Sequence, residues 1–176
     1  MSNPMMKHRT TILACAGLLA ATACVSGCEE RYATTQKTTR VRVGEKTFTL
    51  ELATDQETRV KGLSGRTTIP DDGGMLFVFP DSQVTSHEFV MRDCPIPIDI
   101  IFLDRSKRVT ATHAMKVEEP RREGEDMVTY EGRLKRYPSR FDSQYAIELQ
   151  GGMLEKVPVK PGELINIDPG LAAKAK

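Results

Sequence analysis

IDIIFLDRSKRVTATHAMKV, residues 98–117, reads as two β-strands around a polar loop, and this reading sets the fold class. In the first half, Ile98, Ile100 and Phe102 face one way while Asp99, Ile101 and Leu103 face the other. Both faces are apolar, so the strand belongs inside a sheet that is covered on two sides. Asp104 to Lys107 supplies a four-residue loop, and Arg108 to Val117 returns as the second strand.

Working outward, Met75 to Phe79 is a second continuous apolar run, stopped by Pro80. Upstream, Val41 and Val43, then Gly44 and Glu45, then Phe48, Leu50 and Leu52 alternate as a hairpin whose turn opens at the glycine. Thr54 and Glu57 read as a capping box, with Gly62 closing one short helix near residues 55–62. Gln83 to Met91 and Tyr145 to Leu149 read as further strands, Gly151 to Lys156 as a turn or short helix, and Pro161 with Gly162 as a tight turn into Leu164 to Ile167. Glu118 to Asp142 mixes both charges with little apolar period, which predicts a long surface excursion. The expected fold is α+β and β-rich, a compact, mostly antiparallel sheet or small barrel.

The N-terminus has a different composition. Lys7, His8 and Arg9 precede a short apolar stretch from Ile12 to Val25, the pattern of an export signal. A bilayer span needs about 20 predominantly apolar residues, more than this stretch offers. Val25, Ser26 and Gly27 before Cys28 resemble the lipobox of bacterial lipoproteins, which implies a signal peptide at 1–27 and a lipid on Cys28. Residues 28–39 then read as lipidated Cys and polar tether, 40–168 as a single domain, and 169–176 as a flexible tail. The expected location is outside the cytoplasm, anchored to a cell-envelope membrane through Cys28.

Lys and Arg number 25 against 24 Asp and Glu, and Trp is absent. This balance gives no electrostatic case for nucleic acid, and the scarcity of aromatics argues against a stacking platform. Cys15 and Cys24 leave with the signal and Cys28 is committed to lipid, so Cys94 is expected to stand alone, without an internal disulfide.

Two segments carry a family resemblance. Arg59, Gly62, Leu63 and Arg66 lead to Gly74 and the Met75 to Phe79 run, followed by Met91, Pro97, Asp99, Phe102 and Asp104. Tyr145, Glu148, Leu149, Gly151 and Gly152 then precede Pro161 and Gly162. This pattern resembles the domain of unknown function 192 family over roughly Val41 to Ile167. The family commonly shows Trp, Lys, Asn and Thr where this chain has Val90, Arg92, Asp93 and Cys94. The resemblance implies a β-rich fold and names no reaction, so function has to come from the site.

Asp99 is the most informative single residue. A carboxylate inside a two-sided apolar strand requires a cation or several backbone donors, and Arg59, Arg66 and Arg92 are the candidate cations. The candidate pocket is therefore Arg59, Arg66, Met91, Arg92, Asp99 and His113. His113 shares the face of Val109, Ala111 and Met115 and is expected inward, held by one hydrogen bond; His87, beside Glu88, is expected exposed. Cys94 with His113 and Asp99 supplies the residue types of a nucleophile system, but no family-specific nucleophile signature surrounds the thiol. Cys94, His87, His113, Met91 and Met115 are soft-metal ligand types without a ligand-spacing motif, so neither metal nor cofactor is assigned.

The expectation is a membrane-tethered, non-catalytic binding or accessory domain with a small-molecule or protein partner. The alternatives are a hydrolase or transferase using Cys94 or the Asp99 and His113 pair, and a structural envelope protein whose partner touches the charged excursion.

Overall fold

Alternation along Val41 to Leu52 builds the first hairpin, β1 (Thr38–Val43) and β2 (Lys46–Ala53), with Val43 opposite Lys46. The computed structural model describes residues 37–176. The signal segment, Cys28 and most of the expected tether lie outside those residues. Pairing already begins at Thr38, inside the stretch read as tether.

Helix α1 (Gln56–Lys61) follows, one residue later than the capping box implied. Its cap is Asp55, not Thr54: extended backbone at Asp55 brings its carboxylate to the Thr58 amide at 2.9 Å. Gly62 ends the helix with φ 51° and donates its N–H to the Thr58 carbonyl, as the sequence suggested. After α1 come β3 (Met75–Val78), β4 (Glu88–Phe89), β5 (Ile98–Leu103) and β6 (Val109–Met115). Then follow α2 (Met127–Arg133), β7 (Tyr137–Pro138), β8 (Tyr145–Gln150) and α3 (Met153–Lys156).

Six strands form one sheet in the order β1-β2-β3-β8-β5-β6, and β4 pairs with β7 apart from it. The large sheet is mixed. The connection through α1 returns β3 parallel to β2, whereas every other neighbouring pair is antiparallel. The sheet stays open, with β1 and β6 at its edges. Residues 162–165 lie along β6: Val109 donates to the Glu163 carbonyl at 2.9 Å and Gly162 to Val109 at 2.8 Å. That cover limits the exposed edge.

Period-two alternation sorts the core into two layers. Ile101, Leu103, Ile147 and Leu149 pack with Phe48, Leu50, Leu76 and the segment from Met153 to Leu171. Ile98, Ile100, Phe102 and Ala146 pack with Met75, Phe77, Phe79, Leu63 and Met91 on the other face. β3, β5 and most of β8 are buried on both sides, as the continuous apolar runs required.

Three stretches depart from expectation. Gln83 to Met91 pairs as a strand only at Glu88–Phe89, with a single bridge from Thr85 to Ser143 and a 3-10 turn at Asp81–Gln83 before it. Glu118 to Asp142 is anchored rather than a loose excursion: α2 is capped by Asp126, and Tyr130, Leu134 and Tyr137 are buried. Residues 169–176 do not fray. A 3-10 turn at Pro169–Lys174 buries Leu171, and Lys176 donates to the Thr54 carbonyl at 2.8 Å.

Candidate functional site

A cavity of about 570 Å³ opens on the second face of the sheet, between the end of α1, β3, β8, the 82–94 segment and α2. Its aromatic wall is Phe77, Phe79 and Phe89, with the Phe77 and Phe89 rings edge-to-face at 5.0 Å. Glu148 of β8 lies against this wall. Alternation from Ala146 puts its side chain on the face of Phe77 and Ile100, where it is only 5 % exposed.

Glu148 Oε2 is buried and, among the described residues, has no hydrogen-bond partner. Gly62 makes its surroundings possible: a Cβ at that position would lie 3.3 Å from the Phe77 ring and 3.6 Å from Glu148 Oε2. The glycine needed to end α1 thus also lets the chain descend onto the carboxyl. Burial pushes the Glu148 carboxyl up to about 8, against the opposing pull of the Leu63 amide and the Arg66 charge. At neutral pH the group is mostly an uncharged acid with a proton to donate.

The remaining polar lining is largely committed. Arg59 is buried and donates to the Val78 carbonyl at 3.1 Å and the Lys176 carbonyl at 2.6 Å, with its guanidinium 5.7 Å from the centre of the Phe79 ring. Arg92 bridges the mouth, pairing with Glu131 at 2.6 Å and donating to the Val60 carbonyl at 2.9 Å. His87 is half-buried rather than exposed; its ring stacks on Phe79 at 3.7 Å, burial holds its pKa below the ordinary value, and Nε2 has no partner among the described residues. Cys94 donates to the Arg92 carbonyl at 3.4 Å and lies 4.0 Å from Ser64 Oγ. Burial first, then the nearby Glu148, pushes its thiol up to about 11, which removes the thiolate a nucleophile needs.

The structure divides the residues anticipated from sequence. Arg59, Arg92 and Cys94 line the cavity. Arg66 sits beside it and is paired with Glu51, and Met91 is buried in the core. Asp99 is buried, but no arginine among the described residues meets it. Its Oδ2 accepts the Leu154 amide at 2.7 Å, and the Gly152 and Met153 amides also favour its charged form, while burial, the larger effect, raises its pKa. Asp99 therefore caps α3 on the face opposite the cavity.

His113 Nε2 bonds the Pro138 carbonyl at 2.7 Å, and its ring meets Phe102 and Tyr137 edge-on, outside the cavity. A Cys94, His113 and Asp99 system is thus not assembled. Among the described residues, no group of three or more His, Cys, Asp or Glu side chains is arranged to hold a metal ion. Nor is any described helix long and apolar enough to cross a membrane.

Residues 38–167 match the domain of unknown function 192 family, described as "Uncharacterized ACR". The chain belongs to this family. Two solved structures share the fold of this DUF192 domain. One is a protein of unknown function from Novosphingobium aromaticivorans DSM 12444, at TM-score 0.61 and 26% identity, covering 77% of this chain and 89% of that one. The other, from Sinorhizobium meliloti 1021 and named provisionally as a transcription regulator, aligns at TM-score 0.60 and 26% identity, covering 74% and 94%. No functionally curated protein matches the chain. Three of the positions where this chain departs from the resembled pattern, Val90, Arg92 and Cys94, belong to the cavity wall of this DUF192 domain.

Glu148 is the site residue that reasoning from sequence did not single out. It lies between Ile147 and Leu149 in an apolar strand, the same signal that drew attention to Asp99.

Proposed function

We propose that this chain is a non-catalytic, ligand-binding accessory domain, tethered outside the cytoplasm to a bacterial envelope membrane through lipid on Cys28. One observation carries the binding part: Glu148, buried and with Oε2 lacking a partner among the described residues, on the wall of an open cavity whose lining includes Phe77, Phe79 and Phe89. An unpaired buried polar group costs about 1–3 kcal/mol, and a ligand that completes its hydrogen bonding offsets that cost. The high Cys94 pKa favours binding over thiol chemistry.

Native mass spectrometry of the detergent-extracted full-length protein tests the binding reading. A co-purifying small molecule that is lost from Glu148→Ala is the expected outcome; an empty protein from every growth condition refutes it. For the anchor, metabolic labelling with a fatty acid is expected to mark the wild type and not Cys28→Ala. Equal labelling of the two proteins refutes the lipid assignment.

A further inference from the structure

The inference here rests on the binding reading and assigns the class of ligand. Charge around the cavity is unevenly distributed. Arg59, Lys61, Arg92 and Arg136 line it against Glu88 and Glu131, and Lys61 and Arg136 are exposed. Arg92 is paired with Glu131, while Arg59 donates to the Val78 and Lys176 carbonyls and Arg136 to the Glu131 carbonyl, so that among the described residues Arg59, Lys61 and Arg136 have no ion pair and keep their positive charge, with Lys61 and Arg136 the exposed ones. An acidic group is favoured there, and a cation is disfavoured.

Deeper in, the surroundings are apolar. Phe77 and Phe89 present aromatic faces and edges to the space, and Leu63 is buried beside them. Glu148 and the half-buried His87 are polar groups on this wall, each with one buried atom that has no partner among the described residues. Arg66, whose charge acts on it, is committed to Glu51.

We infer that the cavity takes a small organic anion with an apolar body. Its acidic group sits at the mouth near Lys61 and Arg136, its body lies against Phe77 and Phe89, and a neutral hydroxyl or carbonyl oxygen accepts the Glu148 O–H. No bond is made or broken, so the proposal needs no co-reactant.

The geometry brings a pH dependence with it. Arg66 from the segment after α1 and Cys94 from the segment before β5 are the charged or titratable groups that act on Glu148. The paired positions on the flanking strands are Met75 and Ile100, which carry no charge. Cys94 titrates near 11, Arg66 is raised, and His87 on the cavity wall is lowered. Of these groups Glu148, at about 8, is the one that ionises in the mildly alkaline range. Ionisation removes its donor and repels an anion.

The test uses two probes with a shared phenol body and opposite heads, 4-hydroxyphenylacetate and tyramine, titrated into the detergent-solubilised full chain and read by calorimetry and by the Gly62 and Leu63 amide resonances. The acid is expected to bind and to shift those amides, with its Kd rising about tenfold per pH unit above about 8. Glu148→Gln keeps a donor that does not titrate, so it should retain binding and lose the pH dependence; Glu148→Leu should abolish binding. Reversing the exposed mouth charges with Lys61→Glu and Arg136→Glu should weaken the acid at least about tenfold without altering the fold.

Preference for tyramine, tightening above about pH 8, overturns the ligand class and leaves the pocket standing as a cation site. Failure of both probes at millimolar concentration also overturns the class. The binding reading itself falls only if native mass spectrometry is empty as well.

Discussion

Two buried acids stand one register apart in the centre of the sheet, and they face opposite sides. Asp99 on β5 pairs with Leu149, and Glu148 on β8 pairs with Ile100. Both are raised in pKa, in each case chiefly by burial. The difference is in their partners. Asp99 meets the amides at the start of α3, one of them at 2.7 Å, so its burial is compensated within the fold. Glu148 has the pull of a single amide, that of Leu63; its Oε2 has no partner among the described residues, and it borders a cavity. The comparison teaches that a lone acid in an apolar strand marks a place where the chain needs a partner. Whether that partner is the protein's own backbone or a ligand is a separate question, answered by the loops.

The largest expected effect lies on the Glu148 side. Its folded pKa is raised from 4.5 to about 8, so between those values the folded state binds the extra proton and stability falls as pH rises. At 1.36 kcal/mol per unit, the contribution lost across that window is roughly 3–5 kcal/mol. Glu148→Gln should remove this slope, so its advantage over wild type in urea unfolding should grow by that amount from acid to mildly alkaline pH. A parallel pair of stability curves would break the comparison.

On the other side, Asp99→Ala should destabilise by roughly 1.5–3 kcal/mol, because it removes the charged acceptor of the part-buried amides at the head of α3. Denaturant midpoints at neutral pH measure this, and a neutral result would mean that Asp99 is not compensated as described. A milder version of the same capping role occurs at Asp55, which serves α1 at a partly exposed position. Asp55→Ala should cost about 1 kcal/mol, visibly less than Asp99→Ala. Equal losses would show that burial of the cap is irrelevant.

The smallest effect reports on proximity. Glu148 contributes to the high pKa of Cys94, so Glu148→Gln should lower that pKa by less than about one unit and speed alkylation of the folded protein by less than about tenfold. Asp99→Asn, on the opposite face, should leave the alkylation rate unchanged.

How much of this was legible varies by residue. The two-sided burial of β5 followed from Ile98 to Leu103 alone, and Gly62 announced the end of α1, because both are local consequences of side-chain alternation and backbone freedom. The order inside 118–142 was not legible. Tyr130 and Leu134 share one side of α2 and are buried, but they are surrounded by charges whose pairing, such as Arg133 with Glu125, is set by packing. The parallel pairing of β2 with β3 was equally hidden, since neither strand's composition records the direction of its neighbour. At the site, the sequence offers Arg59, Arg66 and Arg92 as partners for Asp99, whereas Arg66 pairs with Glu51, Arg92 with Glu131, and Arg59 donates to backbone carbonyls. Sequence flags a buried charge without saying which loop reaches it.

The sequence by itself determined which residues must be inside, and that one of them, Asp99, carries a carboxyl needing an answer; Glu148 sits in the same kind of apolar strand. Burial follows from alternation along a single strand, which is a property of the chain read locally. Only the tertiary structure decided that α3 answers Asp99 while the chain after α1 passes over Glu148 and leaves its Oε2 without a partner among the described residues. Hydrogen bonds are satisfied over distances of about 3 Å between groups far apart in sequence, and the closing of loops over a sheet is what sets those distances.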